Sequence, residues 1–150
     1  MALDDDIAIL AAAPLFGLMD RDALRLISFA AERRRLEPGA VLFTRGTPAD
    51  GGFVVTRGTV VLEPRSPRGV PVEAGPSTLI GQTALFLPLE RPSTARVGAD
   101  PAEVMVVTQA LMRRVLEVFP DAAAVIHDVL ADELAALTRT FASSRAADPT

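Results

Sequence analysis

The chain has 150 residues, 49% hydrophobic and 23% charged, with a formal net charge of -4, the balance of one globular domain large enough to bury a core without covalent staples. It has no cysteine, which excludes a disulfide framework, a thiolate metal site and a cysteine nucleophile. The acidic start MALDDDIAIL and the absence of an apolar run of spanning length predict neither a secretory leader nor a membrane span, hence a cytoplasmic location. All 15 basic residues are arginine, and the negative balance argues against nucleic-acid binding by the domain as a whole.

Apolar residues recur at helical spacing over residues 6–13 and 21–33, with Pro14 and Gly17 between them, so two short helices joined by a turn are expected. Asp20 occupies the N-cap position of the second. The arginines 33–35 are expected at its end, where cations suit the helix dipole. The pattern then changes to short β-rich runs broken by Gly and Pro: 41–44, 53–56, 59–62, 70–73, 95–97 and 103–107. Many short strands with frequent turn signals predict an antiparallel sandwich or barrel. Arg57-Gly58 reads as a tight hairpin turn with Gly at positive φ, and 65–69 as a polar second hairpin loop. After Thr108 the helical period returns, over 109–119 and again from Pro120 to about 142. Ile126, Leu130, Leu134, Leu137 and Phe141 share one face of the last helix. That stripe needs a cover, either the barrel of the same chain or a second copy. The expected organisation is a helical segment over 1–35, a barrel over 36–108, C-terminal helices over 109–142 and a flexible tail over 143–150.

Chemistry concentrates between residues 79 and 99, LIGQTALFLPLERPSTARVGA. Gly81 permits positive φ or a close backbone approach. A single turn over 82–85 presents backbone donors, those of Thr83, Ala84 and Leu85, in the geometry that suits an anion. Downstream stand a cation, Arg91, and two hydroxyls, Ser93 and Thr94. Catalysis has no comparable support. His127 is the lone histidine, on a helix face, and Glu63, Glu73 and Glu103 stand at strand ends without converging, so neither catalytic nor metal-ligating residues are expected.

Several ordered fragments carry a resemblance: Pro14-Leu15-Phe16, residues 39–43 followed by Arg45-Gly46-Thr47-Pro48-Ala49-Asp50, Phe53-Val54-Val55 with Arg57-Gly58, Gly75-Pro76, the turn 81–85, and 92–99. The sequence resembles the cyclic-nucleotide-binding domain family. The resemblance implies a mainly β fold, a jelly-roll β-barrel (double-stranded β-helix) with N-terminal helices and a long C-terminal helix. It implies a non-enzymatic regulatory module that needs no cofactor and takes cAMP, cGMP or a related phosphate in the barrel, with movement of the C-terminal helix as output. A homodimer or an effector protein engaged through that helix is expected. The family's activators carry a helix-turn-helix after it, so no DNA binding is expected of this chain alone.

In the family's phosphate cassette, Gly-Glu-(Leu/Met)-Ala-Leu precedes Pro-Arg-(Ser/Ala)-Ala, with Glu on the ribose hydroxyl and Arg on the phosphate. Gln82 stands at the Glu position here. Aligning 92–97 on the second motif puts Ser93 at the Arg position, after a loop about two residues longer. Arg91 would restore the cation if the longer loop returned it over the turn, and Arg96 if its strand faced inward. The alternative is that both are solvated rim arginines and the domain is a degenerate interaction or dimerisation module. The expected ligand-binding set is Gly81, Gln82, Thr83, Ala84, Leu85, Arg91, Ser93 and Thr94.

Overall fold

The computed structural model describes residues 2–64 and 66–147, with the side chains at 2–4, 137 and 140–147 outside that description. In chain order come α1 (Ala2–Ala12), a 3-10 turn (Phe16–Leu18) and α2 (Arg21–Ala30). The strands follow: β1 (Glu32–Leu36), β2 (Val41–Phe43), β3 (Pro48–Ala49), β4 (Gly51–Arg57), β5 (Val60–Leu62), β6 (Val72–Ala74) and β7 (Leu79–Ile80). A second 3-10 turn (Thr83–Leu85) leads to β8 (Leu89–Glu90), β9 (Ala95–Val97) and β10 (Ala102–Thr108), and α3 (Gln109–Val118) and α4 (Pro120–Ala147) close the chain.

Two four-stranded antiparallel sheets, ordered β1-β10-β4-β7 and β2-β9-β5-β6, form the jelly roll, and β3 pairs with β8 in a separate two-stranded ribbon. The architecture is the expected one: a sandwich of antiparallel sheets flanked by N-terminal and C-terminal helices. Successive side chains of a strand point to opposite faces, and β4 and β10 use both. Val54, Met105 and Val107 face the helices and pack with Leu10, Phe16, Ile27, Met112, Val115 and Ile126. Phe53, Val55 and Val104 face the barrel interior with Val60, Ile80, Ala95 and Val97. The first sheet thus separates two apolar clusters and carries the helices on its back.

Local signals account for most boundaries. Gly58, at φ 76°, makes the turn between β4 and β5. Thr108 caps α3, its Oγ1 accepting from the Leu111 N–H at 3.1 Å. Asp20 does occupy the N-cap of α2, but its side chain makes no capping hydrogen bond. The β5–β6 loop is closed by the Gly69 N–H donating to Ser66 O at 2.9 Å, while residue 65, expected at its start, lies outside the described residues.

Three expectations are corrected. Helix α2 ends at Ala30, and residues 32–36 form a strand instead of a helix end. Arg33 pairs with Met105 and Arg35 with Glu103 across β10, so the arginine triplet is a sheet edge and the β region starts at 32, not 36. Helix α4 continues to Ala147, which takes in most of the expected tail, residues 148–150 lying outside the described residues. Its apolar stripe divides: Ile126 is buried and Leu130 half-buried on the helix-side core, whereas Leu134 is 65% exposed. The side chains of Leu137 and Phe141, on which the expected dimer contact rested, lie outside the described residues. Among the described residues no helix is long and apolar enough to cross a membrane, and no group of His, Cys, Asp or Glu could hold a metal ion.

Candidate ligand site in the barrel

The site is built on the turn after β7. Gly81 adopts φ 81°, a conformation that L side chains rarely take, and this reverses the chain out of the sheet. The buried Ala84 and Leu85 then anchor the 3-10 turn from beneath. The Ala84 N–H donates to Gly81 O and the Leu85 N–H to Gln82 O, each at 3.1 Å. Two of the three expected anion donors are therefore spent inside the turn. The N–H groups of Gln82 and Thr83 are the ones left without an acceptor among the described residues, the situation of a helix's first residues. The start of α3 bolts the turn in place: Gln109 Nε2 donates to Ala84 O at 2.9 Å, and its N–H to Asp50 O at 2.7 Å.

The loop beyond the turn is held by the β3–β8 ribbon, whose register sets Pro48 against Glu90 and Ala49 against Leu89. The ladder continues into Arg91, whose N–H donates to Thr47 O at 2.8 Å and whose carbonyl accepts from the Gly46 N–H at 2.9 Å. With its backbone fixed on both sides, Arg91 sends its side chain inward. The residue is only 6% exposed. Its guanidinium carbon lies 4.5 Å from the centroid of the Phe43 ring and 5.2 Å from that of Phe53. The two rings are themselves stacked, 5.7 Å apart at 23°. A Cβ added at Gly81 would stand 2.8 Å from Arg91 Nη1, so the glycine makes room for the cation as well as for the turn.

Arg91 makes no side-chain hydrogen bond or ion pair among the described residues. Burial pulls its pKa below the ordinary arginine value, and the more distant charge of Asp50 opposes that shift. Cation–π contact on two rings recovers part of the lost hydration, about 2 kcal/mol when such a contact is desolvated. A desolvated guanidinium has five donors, so this one retains its capacity for an anion. It opens on a cavity of about 380 Å³ lined by Ala49, Gly81, Gln82, Thr83, Ala84, Leu89, Glu90, Arg91 and Pro92.

The eight expected site residues therefore divide. Gly81, Gln82, Thr83, Ala84 and Arg91 line one cavity. Leu85 lies beneath it in the helix-side core. Ser93 is half-buried and outside the lining. Thr94 also lies outside it and uses its Oγ1 to accept from the Arg45 N–H at 3.0 Å, which ties the β2–β3 loop to the strand. Arg96 is exposed and pairs with Glu63 at 2.6 Å, as a rim arginine does. The rim alternative thus describes Arg96 and not Arg91. Gln82 Nε2 donates to the Glu133 carboxylate of α4, at 3.2 and 3.4 Å.

Sequence reasoning missed Phe43 and Phe53 as a platform, Gln109 as a brace and Glu133 as a partner. The phenylalanines read only as strand core. The other two join positions with no local sequence relation.

The profile of the cyclic nucleotide-binding domain family matches residues 33–118, and the chain belongs to that family. Among solved structures, it is similar to the N-terminal domain of a transcriptional regulator from Streptomyces coelicolor A3(2), at 28% identity and a TM-score of 0.78, over 89% of this chain and 94% of that one. It is similar to a cyclic nucleotide-binding-like protein from Brucella abortus at 35% identity and a TM-score of 0.66, over 76% and 99% of the two chains. The regulatory domain of Toxoplasma gondii PKA, solved with cAMP, shares the fold at 17% identity and a TM-score of 0.68, over 76% of this chain and 44% of that one. No curated protein matches the chain.

Proposed function

We propose that this regulatory module is a non-enzymatic sensor that binds a cyclic nucleotide, cAMP or cGMP, or a closely related phosphate in the barrel cavity. The observation that carries the reading is Arg91: a buried cation with no carboxylate partner among the described residues, facing a cavity beside unpaired backbone donors. A phosphodiester placed between the guanidinium and the N–H groups of Gln82 and Thr83 would receive charge-assisted hydrogen bonds from both sides. The cAMP-bound Toxoplasma domain of the same fold supports the ligand class.

Helix α4 is the output element in this reading. It packs through Ala122, Ile126 and Leu130 on the cluster that also holds Leu85 of the turn, so displacement of the turn reaches it through that shared core. The exposed Leu134 continues that stripe beyond the core, which favours a second copy or an effector protein on the distal helix. The test is calorimetric titration of the full chain with cAMP and cGMP. Saturable binding at a stoichiometry of about one per chain is expected. Absence of heat with both leaves the second reading, an interaction module that keeps the fold without the ligand, for which the exposed stretch of α4 is the supporting feature.

A further inference from the structure

We propose that Glu133 is a positioning residue of the ligand site: it orients the Gln82 amide so that the carbonyl oxygen, not the amino group, is offered to the ligand. This deepens the cyclic-nucleotide reading and rests on it. A side-chain amide presents either a double donor or an acceptor, depending on which way it is turned. An ionised carboxylate can only accept. With Glu133 within 3.2 and 3.4 Å of Gln82 Nε2, the amino group must face α4, and Oε1 is the free terminus of a residue that lines the cavity. The turned amide then behaves toward a hydroxyl donor as a carboxylate oxygen would, without adding negative charge beside the anion held by Arg91.

The chemistry of the ligand class supplies the donor. In a 3′,5′-cyclic nucleotide both the 3′ and 5′ oxygens belong to the phosphodiester ring, so the 2′-hydroxyl is the sugar's single remaining O–H. The orientation that lets Gln82 accept from it depends on a residue of α4, 51 positions away in sequence. Hydroxyl recognition is thereby tied to the placement of this helix, whose residues 131–136 are otherwise exposed. A ligand that uses Gln82 Oε1 favours the helix position in which Glu133 is engaged, and a ligand without the hydroxyl does not.

The experiment is titration of the full chain and of Glu133→Ala and Glu133→Gln with cAMP and with 2′-deoxy-cAMP. The wild type should prefer cAMP by about threefold to tenfold, the worth of one hydrogen bond. In Glu133→Ala the amide is released and the preference should fall to less than about twofold. Glu133→Gln, whose own carbonyl can accept from Gln82, should restore most of the preference, a rescue that general loosening of α4 does not produce. Equal preference in the wild type and Glu133→Ala, or no preference in the wild type, overturns the role of Glu133 while leaving cyclic-nucleotide binding standing. If the wild type binds neither adenine nucleotide, the same series is run with cGMP and 2′-deoxy-cGMP, and failure to bind any of the four overturns both.

Discussion

Two arginines of this chain are held between helix or turn and sheet, and they are treated in opposite ways. Arg33, on β1, meets Asp6 of α1, a carboxylate only 6% exposed, and also donates to Ser28 O at 3.4 Å. Its hydrogen bond with Asp6 raises its pKa above the ordinary value, against the cost of burial. Arg91 is buried with aromatic faces and has no carboxylate partner among the described residues, and its pKa is lowered. The cavity beside Arg33 is the larger, about 620 Å³ against 380 Å³, yet Arg33 and Arg35 in its lining are ion-paired with Asp6 and Glu103, whereas Glu90, the carboxylate that lines the smaller cavity, forms no ion pair with Arg91 among the described residues. Volume therefore does not identify the site. What favours the proposed site is the counterion that Arg91 lacks among the described residues, because a desolvated charge left unpaired is costly unless something else supplies the opposite charge.

The contrast predicts that the two arginines fail differently. Arg91→Ala should lower affinity for cAMP by about tenfold to 150-fold, the worth of a lost charge-assisted contact. The stability of the ligand-free chain should change by less than about 1 kcal/mol, because the lost ring contacts are offset by relief of a buried charge. Titration and denaturant unfolding of the same variant read both quantities. Arg33→Ala should do the reverse. It strands the Asp6 carboxylate in the core and should cost about 2 kcal/mol of stability, less than a fully buried pair because Arg33 is partly exposed, with nucleotide affinity unchanged.

Gly81→Ala sharpens the comparison from the other side. It forces a side chain into positive φ at a cost of roughly 1 to 2 kcal/mol and pushes on Arg91 Nη1, so both stability and affinity should fall in one variant. Ser93→Arg should do least. A second arginine at a half-buried position outside the cavity lining is expected to move stability by within about 0.5 kcal/mol and cAMP affinity by less than about threefold. A gain of tenfold or more, by titration, would make position 93 the place of the phosphate arginine after all.

These expectations also show where the sequence was legible. Gly58, Gly81 and Pro120 specify local backbone geometry, and each marks the turn or helix start that its chemistry requires. The run Ala95–Val97 is a strand with the expected bounds, since alternating burial leaves a pattern in the residues themselves. What escaped is held by pairing at a distance. Arg33 to Arg35 show no apolar alternation and become a strand through register with β10. The ribbon of β3 and β8 has two residues per strand, too few for any periodicity, and it fixes the loop length that returns Arg91 over the turn. A difference of two residues in that loop separates Ser93, the position that sequence alignment gives to the family's arginine, from Arg91, the cation of the proposed site. Gln82 and Glu133 likewise carry no common sequence signal.

The claim that Arg91 is a cation kept open for an anionic ligand is tested most directly by thermal unfolding of the wild type and Arg91→Ala, each with and without cAMP at about a hundredfold excess over the wild-type Kd. Linkage at that excess stabilises the wild type by about 2.7 kcal/mol, a rise in Tm of roughly 5 to 10 °C for a chain of this size. That rise is expected in the wild type, a much smaller one in Arg91→Ala, and ligand-free midpoints for the two within about 4 °C of each other. Equal ligand-induced rises in both proteins would contradict the claim.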